Sequence, residues 1–219
     1  QRKGDAAPRI EALGRLLDGA RRHGLYFVAA RLAAPIILEV GPGDAVKAAA
    51  PQFIRALIAA DLAKAIEPFL PLADPAAMAP LIAIVHAIEG ARPDDKTMDE
   101  ALAALSLRAS EATPRRVGLF LMLASEFRGA VSESNLAGQM AAAHPALVPS
   151  AAVWLAAQRA QAGHRLGETV LTGLILAEQE DRLTAEPILL QTVFAGLRAV
   201  ALEGDARGLA LEAAIAGGL

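Results

Sequence analysis

Leu16-Leu17-Asp18-Gly19-Ala20-Arg21-Arg22-His23-Gly24-Leu25, Phe53-Ile54-Arg55-Ala56-Leu57-Ile58-Ala59-Ala60-Asp61-Leu62 and Val193-Phe194-Ala195-Gly196-Leu197-Arg198-Ala199-Val200-Ala201-Leu202 share one order of residues. Each is an apolar helical run, a short break, and a leucine that opens a second apolar helix. Beyond that leucine the same offsets carry Ala29, Leu32 and Ala33 in the first stretch, Ile66, Phe69 and Leu70 in the second, and Ala206, Leu209 and Ala210 in the third. Apolar residues three and four apart lie on one face of a helix. Helices joined by so short a break form hairpins, which bury their apolar faces against neighbours. The expectation is therefore all-α, with stacked antiparallel helical hairpins.

Composition sets the terms of the interior. The chain has 219 residues and is 54% hydrophobic, yet only 4% aromatic, with one Trp and one Tyr. Its core must be built from Ala, Leu, Ile and Val, whose small size lets helix axes approach near the lower end of the usual ~8–10 Å. The net charge of −3, with 21 basic and 24 acidic residues mixed along the chain, offers no single-sign field to a phosphate backbone, so nucleic acid is not an expected partner. There is no cysteine, which removes disulfides, thiolate metal sites and thiol nucleophiles. Mean hydropathy is +0.38, but no run reaches the ~18 consecutive apolar residues a membrane span needs. The most apolar stretch, Pro75 to Ile88, contains Pro80 and His86 and stops at Glu89-Gly90. The chain opens on Gln1-Arg2-Lys3 without methionine, and is expected to be a processed or truncated product.

Helix boundaries follow from the punctuation. Asp74-Pro75 and Thr113-Pro114 place an N-cap acceptor before a proline at the first helical position, and Gly90 and Gly129 follow as helix ends. Thr97-Met98-Asp99-Glu100 has the spacing of a capping box. Thr184 caps a later helix, and Pro35 is expected to bend or interrupt the second. About 12 helices result, near 8–23, 25–40, 51–60, 62–71, 75–89, 98–110, 114–128, 134–143, 149–162, 165–180, 184–201 and 203–216. The Gly90–Asp95 loop divides them into residues 1–92 and 93–219, two sets of hairpins or one continuous stack.

The helix-turn-helix pattern of the three stretches, joined by a hairpin of Trp154 to Ala162 with Leu166 to Ala177, resembles the tetratricopeptide-like α-solenoids. That resemblance implies hairpins packing large residues of one helix on small residues of the next, and a concave surface for a protein or peptide. The breaks carry Gly24, Asp61 and Ala201, so glycine holds the turn only once, and the copies are irregularly spaced. An irregular helical bundle is the alternative architecture.

Chemistry-bearing residues are sparse. His23, His86, His144 and His164 are scattered, and none has a histidine or carboxylate at the spacing of a helical chelate, so no metal or cofactor is expected. Asp94-Asp95 and Asp99-Glu100 lack the ligand spacing of a calcium loop. Trp154 shares a helix face with Val153 and Ala157 and reads as core. Glu178, Glu180 and Asp181 close a helix. Arg115-Arg116 differ from these, because two positive charges at a helix start oppose its dipole, and they are read as held by an acidic partner protein, by a neighbouring carboxylate such as Glu111, or as a plain solvated pair. They are the candidate partner-binding residues.

Glu133-Ser134-Asn135 with Gly138-Gln139-Met140 is similar to the Glu-Ser start and Gly-Leu-Met-Gln core of lytic transglycosylases, which implies Glu133 as a general acid. The elements are crowded here, and the plainer reading has Ser132 or Ser134 capping a helix. The sequence thus favours a non-enzymatic helical-repeat module mediating protein–protein interaction or scaffolding in a bacterial-type assembly, with the cell envelope as one setting. The alternative is a helical accessory domain of a cell-wall glycan-cleaving enzyme. A third reading is homo-oligomerisation through an exposed Ala/Leu face such as Leu202 to Leu219.

Overall fold

A computed structural model of the protein describes residues 6–107, 110, 112–127, 132–133, 150–178 and 187–219. Among these residues the chain forms ten α-helices and two 3-10 stretches, with no strand. The helices are α1 (Ala6–Arg22), α2 (Tyr26–Val40), α3 (Ala50–Ala59), α4 (Pro75–Ile88), α5 (Asp95–Ser106), α6 (Thr113–Glu126), α7 (Ala151–Ala162), α8 (Leu166–Glu178), α9 (Pro187–Ala199) and α10 (Glu203–Ala216). The 3-10 stretches are Asp44–Val46 and Ala63–Leu72. The helix expected at 134–143, the end at Gly129, His144, Glu111 and the cap at Thr184 lie outside the described residues.

One backbone device recurs. After α1 the Leu25 N–H donates to Ala20 O at 2.8 Å and the Gly24 N–H to Arg21 O at 3.3 Å, the paired bonds of a Schellman motif. The same pair closes α3 (Leu62 to Leu57, Asp61 to Ile58), α7 (Arg165 to Ala160, His164 to Gln161) and α9 (Leu202 to Leu197, Ala201 to Arg198). Such a turn needs one left-handed residue, and Gly24, Asp61, His164 and Ala201 hold φ of 68°, 63°, 50° and 61°. The residue after it then accepts the first bond of the following element, as Leu25 does from Ala29 and Leu202 from Ala206. One residue ends a helix with its N–H and begins the next with its C=O, so the pair needs no loop.

Packing keeps the same register. Counted from the residue after the left-handed one (Leu25, Leu62, Arg165 and Leu202), the residues eight before it, Leu17, Ile54, Ala157 and Phe194, are all buried. Four and eight residues after it, small side chains or glycine are buried where the two α-helices of a pair cross: Ala29 and Ala33, Thr169 and Gly173, Ala206 and Ala210. A Cβ on Gly196 would stand 2.9 Å from Thr169 Cγ2, so α8 and α9 approach closely there. In the pair that starts with α3, the second element is the 3-10 stretch and buries the larger Ile66 and Phe69.

Several local expectations change. Residues 63–72 are 3-10 rather than α, because Pro68 and Pro71 remove two amide donors. Helix α2 runs on through Pro35, which sits on the exposed side, where water can satisfy the carbonyl that proline leaves unbonded. Helix α5 starts three residues early: Asp94 is its cap, accepting the Thr97 N–H at 2.8 Å, and Thr97 is inside the first turn. Thr113 is helical, and its hydroxyl oxygen accepts from the Ser110 N–H at 2.8 Å. Asp74 does cap α4, taking the Ala76 N–H at 3.1 Å.

The chain divides into two compact units, residues 1–79 and 80–219, parted inside α4. In the first, α2 packs on α1 and α3, and α3 on the 3-10 stretch. The second is less regular: α9 packs against α6, α7, α8 and α10, with four helical neighbours, and α5 lies on α6. Fully buried Phe120 and Phe194 belong to its interior.

Candidate functional site

In the second unit the ends of four helices meet. Helix α6 finishes at Glu126 because Phe127 leaves helical geometry; α9 carries Arg198 in its last turn; α10 begins at Glu203 and places Arg207 one turn on. Helix α4 ends in the same left-handed turn, at Gly90 with φ 88°, which sends Ala91 and Arg92 away from the helix axis. These ends enclose an open cleft of about 470 Å³ whose charged lining is Arg92, Glu126, Arg198, Glu203 and Arg207.

Its base is a fixed network. The Glu126 carboxylate accepts from Arg198 Nη1 and, at 3.1 Å, from Gln191 Nε2, while Arg198 Nη2 donates to the Glu126 carbonyl at 2.9 Å. The guanidinium carbon lies 4.9 Å from the centre of the Phe127 ring, and Phe127 meets Phe194 edge to face at 6.1 Å. A cation here suits the carbonyl end of α6. With its carboxylate only 13% exposed and its partner 33%, the pair ties α9 to α6 more firmly than a surface ion pair would. Arg92 and Arg207 are exposed at the rim, and neither is in an ion pair among the described residues.

The residues singled out from sequence lie elsewhere. Arg115 and Arg116 are in the first turn of α6, at the opposite end from Glu126. Arg115 is exposed. Arg116 is half-buried, its guanidinium lying beside Gly218 in the turn that ends α10, where a glycine Cβ would meet Arg116 Nε at 3.2 Å. A cation that opposes the dipole of its own helix is thus set at the negative end of another. Glu133 is exposed, whereas a general acid of the transglycosylase kind works from an apolar pocket. His23 and His86 are exposed, and His164 Nδ1 donates to Ala199 O at 2.7 Å, joining the α7–α8 turn to the end of α9. Trp154 is partly buried on the cluster of Ala157, Leu176 and Leu189.

The one strongly buried ionisable hydroxyl is in the first unit. Burial pushes the Tyr26 pKa above its ordinary value, and the Arg21 guanidinium, 4.9 Å from the ring centre, pulls the other way. The Tyr26 hydroxyl has no hydrogen-bond partner among the described residues. Among the described residues no group of three or more His, Asp or Glu is placed to hold a metal ion. No helix there is long and apolar enough to cross a membrane.

Two apolar faces lie exposed among the described residues. In the first unit Leu25, Val28, Leu32 and Ile36 run along the outside of the α2 segment, with Leu32 68% exposed, and Ile36 borders a groove with Leu13 and Leu16 of α1. In the second unit Leu171, Leu174 and Ile175 do the same on α8. The face expected on Leu202 to Leu219 is not exposed: Ala206, Ala210, Leu211, Ala214, Ile215 and Leu219 are buried within the chain. The cleft arginines escaped sequence reading because they come from three separated segments; the signal available was Arg198, a cation in a last turn.

No family model matches this chain, and neither a curated protein nor a solved structure does. The fold itself defines the class: an all-α protein of α-helices and short 3-10 stretches.

Proposed function

We propose that the chain is a helical-hairpin interaction module, TPR-like in its repeat logic, that holds a protein or peptide partner and carries out no reaction of its own. The observation behind this reading is a coincidence of two features. Four helical pairs are closed by one kind of turn, and two of them leave an aliphatic stripe outside on their second helix. Contiguous apolar patches on a protein surface mark interaction sites more often than they occur by chance. Arg115, exposed at the start of α6, gives an acidic partner a further contact. A bacterial-type scaffold at the cell envelope is the setting that fits such a module.

The test is capture of partners by the whole chain, compared with Val28→Asp/Leu32→Asp. The reading expects a defined partner retained by the wild type and lost by the double variant; equal recovery by both removes the α2 face from the account.

A second reading, a helical accessory domain of a glycan-cleaving enzyme, is favoured by the packing of α9, which has four helical neighbours where an ordered solenoid gives each repeat only its sequential ones. Peptidoglycan turnover by the protein, abolished in Glu133→Gln, would establish it. No turnover would remove the catalytic part.

A further inference from the structure

We propose that the cleft at the ends of α4, α6, α9 and α10 binds an acidic peptide segment, with carboxylates taken by Arg92 and Arg207 and an adjacent apolar side chain laid on Phe127 and Ala91. The proposal rests on the module reading above and gives that module the chemistry of its guest.

Charge carries it. Of the five ionised side chains lining the cleft, Glu126 and Arg198 are committed to each other, with Gln191 taking a further position on the carboxylate. What remains is Arg92 and Arg207, both exposed, against Glu203 alone. Within the lining that leaves one net positive charge on a chain whose net charge is −3, so it is the cleft, and not the molecule as a whole, that complements an anion. A guanidinium offers a rigid fork of donors matched to a carboxylate, and two of them facing one cleft match two carboxylates.

The remaining lining selects a peptide over a small anion. A compact dianion such as inorganic phosphate would have to sit against Glu203 as well as the arginines, over a base whose carboxylate, Glu126, also opposes it. A peptide can place its carboxylates separately on Arg92 and Arg207 and turn an apolar side chain toward Phe127 and Ala91. Electrostatic complementarity of this kind acts mainly on association rate and selectivity, so the binding must be sensitive to salt.

The experiment is an anisotropy titration of the full chain with a fluorescein-labelled peptide of alternating Glu and Leu, at low and raised salt, beside its Lys/Leu counterpart. The wild type should bind the acidic peptide and not the basic one, with affinity falling as salt rises. Arg92→Glu/Arg207→Glu should lose about tenfold or more and gain the basic peptide, and Arg92→Gln/Arg207→Gln should weaken the acidic peptide without that gain. Helical circular dichroism should be unchanged in both, since each residue is exposed. Equal binding by wild type and double variants, no binding by the wild type at low salt, or displacement of the peptide by inorganic phosphate at comparable concentration would each overturn the proposal. If binding is instead lost in Val28→Asp/Leu32→Asp, the cleft fails and the module reading stands; if partner capture also survives that variant, the α2 face fails too.

Discussion

Ala201 holds a φ of 61° with a Cβ attached. That conformation costs an L-residue roughly 1–2 kcal/mol, and glycine avoids the clash while losing more freedom on folding. Ala201→Gly is therefore expected to raise stability by about 0.5–1 kcal/mol in denaturant unfolding, and Gly24→Ala to lower it by about 1 kcal/mol. Tyr26 makes the opposite kind of point. Its hydroxyl is buried without a hydrogen-bond partner among the described residues, so Tyr26→Phe should leave the denaturation midpoint unchanged or raise it. Arg198 is a group whose loss should be felt. Truncating it to alanine leaves the Glu126 carboxylate under-satisfied and removes the contact with Phe127, at an expected cost of about 2 kcal/mol.

At the scale of the element, α5 shows how a helix start becomes a pH effect. Thr97, through its hydroxyl first and its amide N–H second, holds the Asp94 carboxyl below its ordinary pKa. A folded value below the unfolded one means that the cap's contribution is complete above the ordinary carboxylate range and is lost as pH falls through the lowered folded value. Thermal midpoints measured against pH should therefore fall on the acid side in the wild type, by less in Asp94→Ala, which starts lower. The pairs themselves were legible through their leucines. Leu25, Leu62 and Leu202 mark the residue whose N–H closes one helix and whose C=O opens the next element. The turn residue was not legible as glycine, since Asp61, His164 and Ala201 take the left-handed conformation under tertiary constraint. Nor was the 3-10 form of residues 63–72, which depends on two prolines acting together. The cleft stayed hidden for a different reason: Arg92, Arg198 and Arg207 become neighbours only when four helix ends meet, while Arg115 and Arg116 drew attention by opposing a dipole that matters less to Arg116 than the end of α10 beside it.

At the scale of the molecule, an interior poor in aromatics is closed by small residues where helices cross, and the larger aliphatic side chains are partly left outside. Val28 is 58% exposed and Leu32 68%, so Val28→Asp/Leu32→Asp should shift stability by no more than about 0.5 kcal/mol in thermal unfolding while changing what the surface holds. A large loss of stability in that variant would mean the stripe is part of the core. Function is the least legible level, because on the proposed reading an interaction surface is defined by its guest as much as by its own residues.

The central claim is that four helical pairs are closed by the same left-handed turn, and NMR on the labelled chain tests it at once. Strong intraresidue amide-to-Hα Overhauser contacts at Asp61, His164 and Ala201, with left-handed Cα shifts at those residues and at Gly24, are the predicted result. Right-handed helical shifts running unbroken through Asp61 and Ala201 would contradict it, joining each pair into a single long helix and leaving no hairpins to form a binding surface.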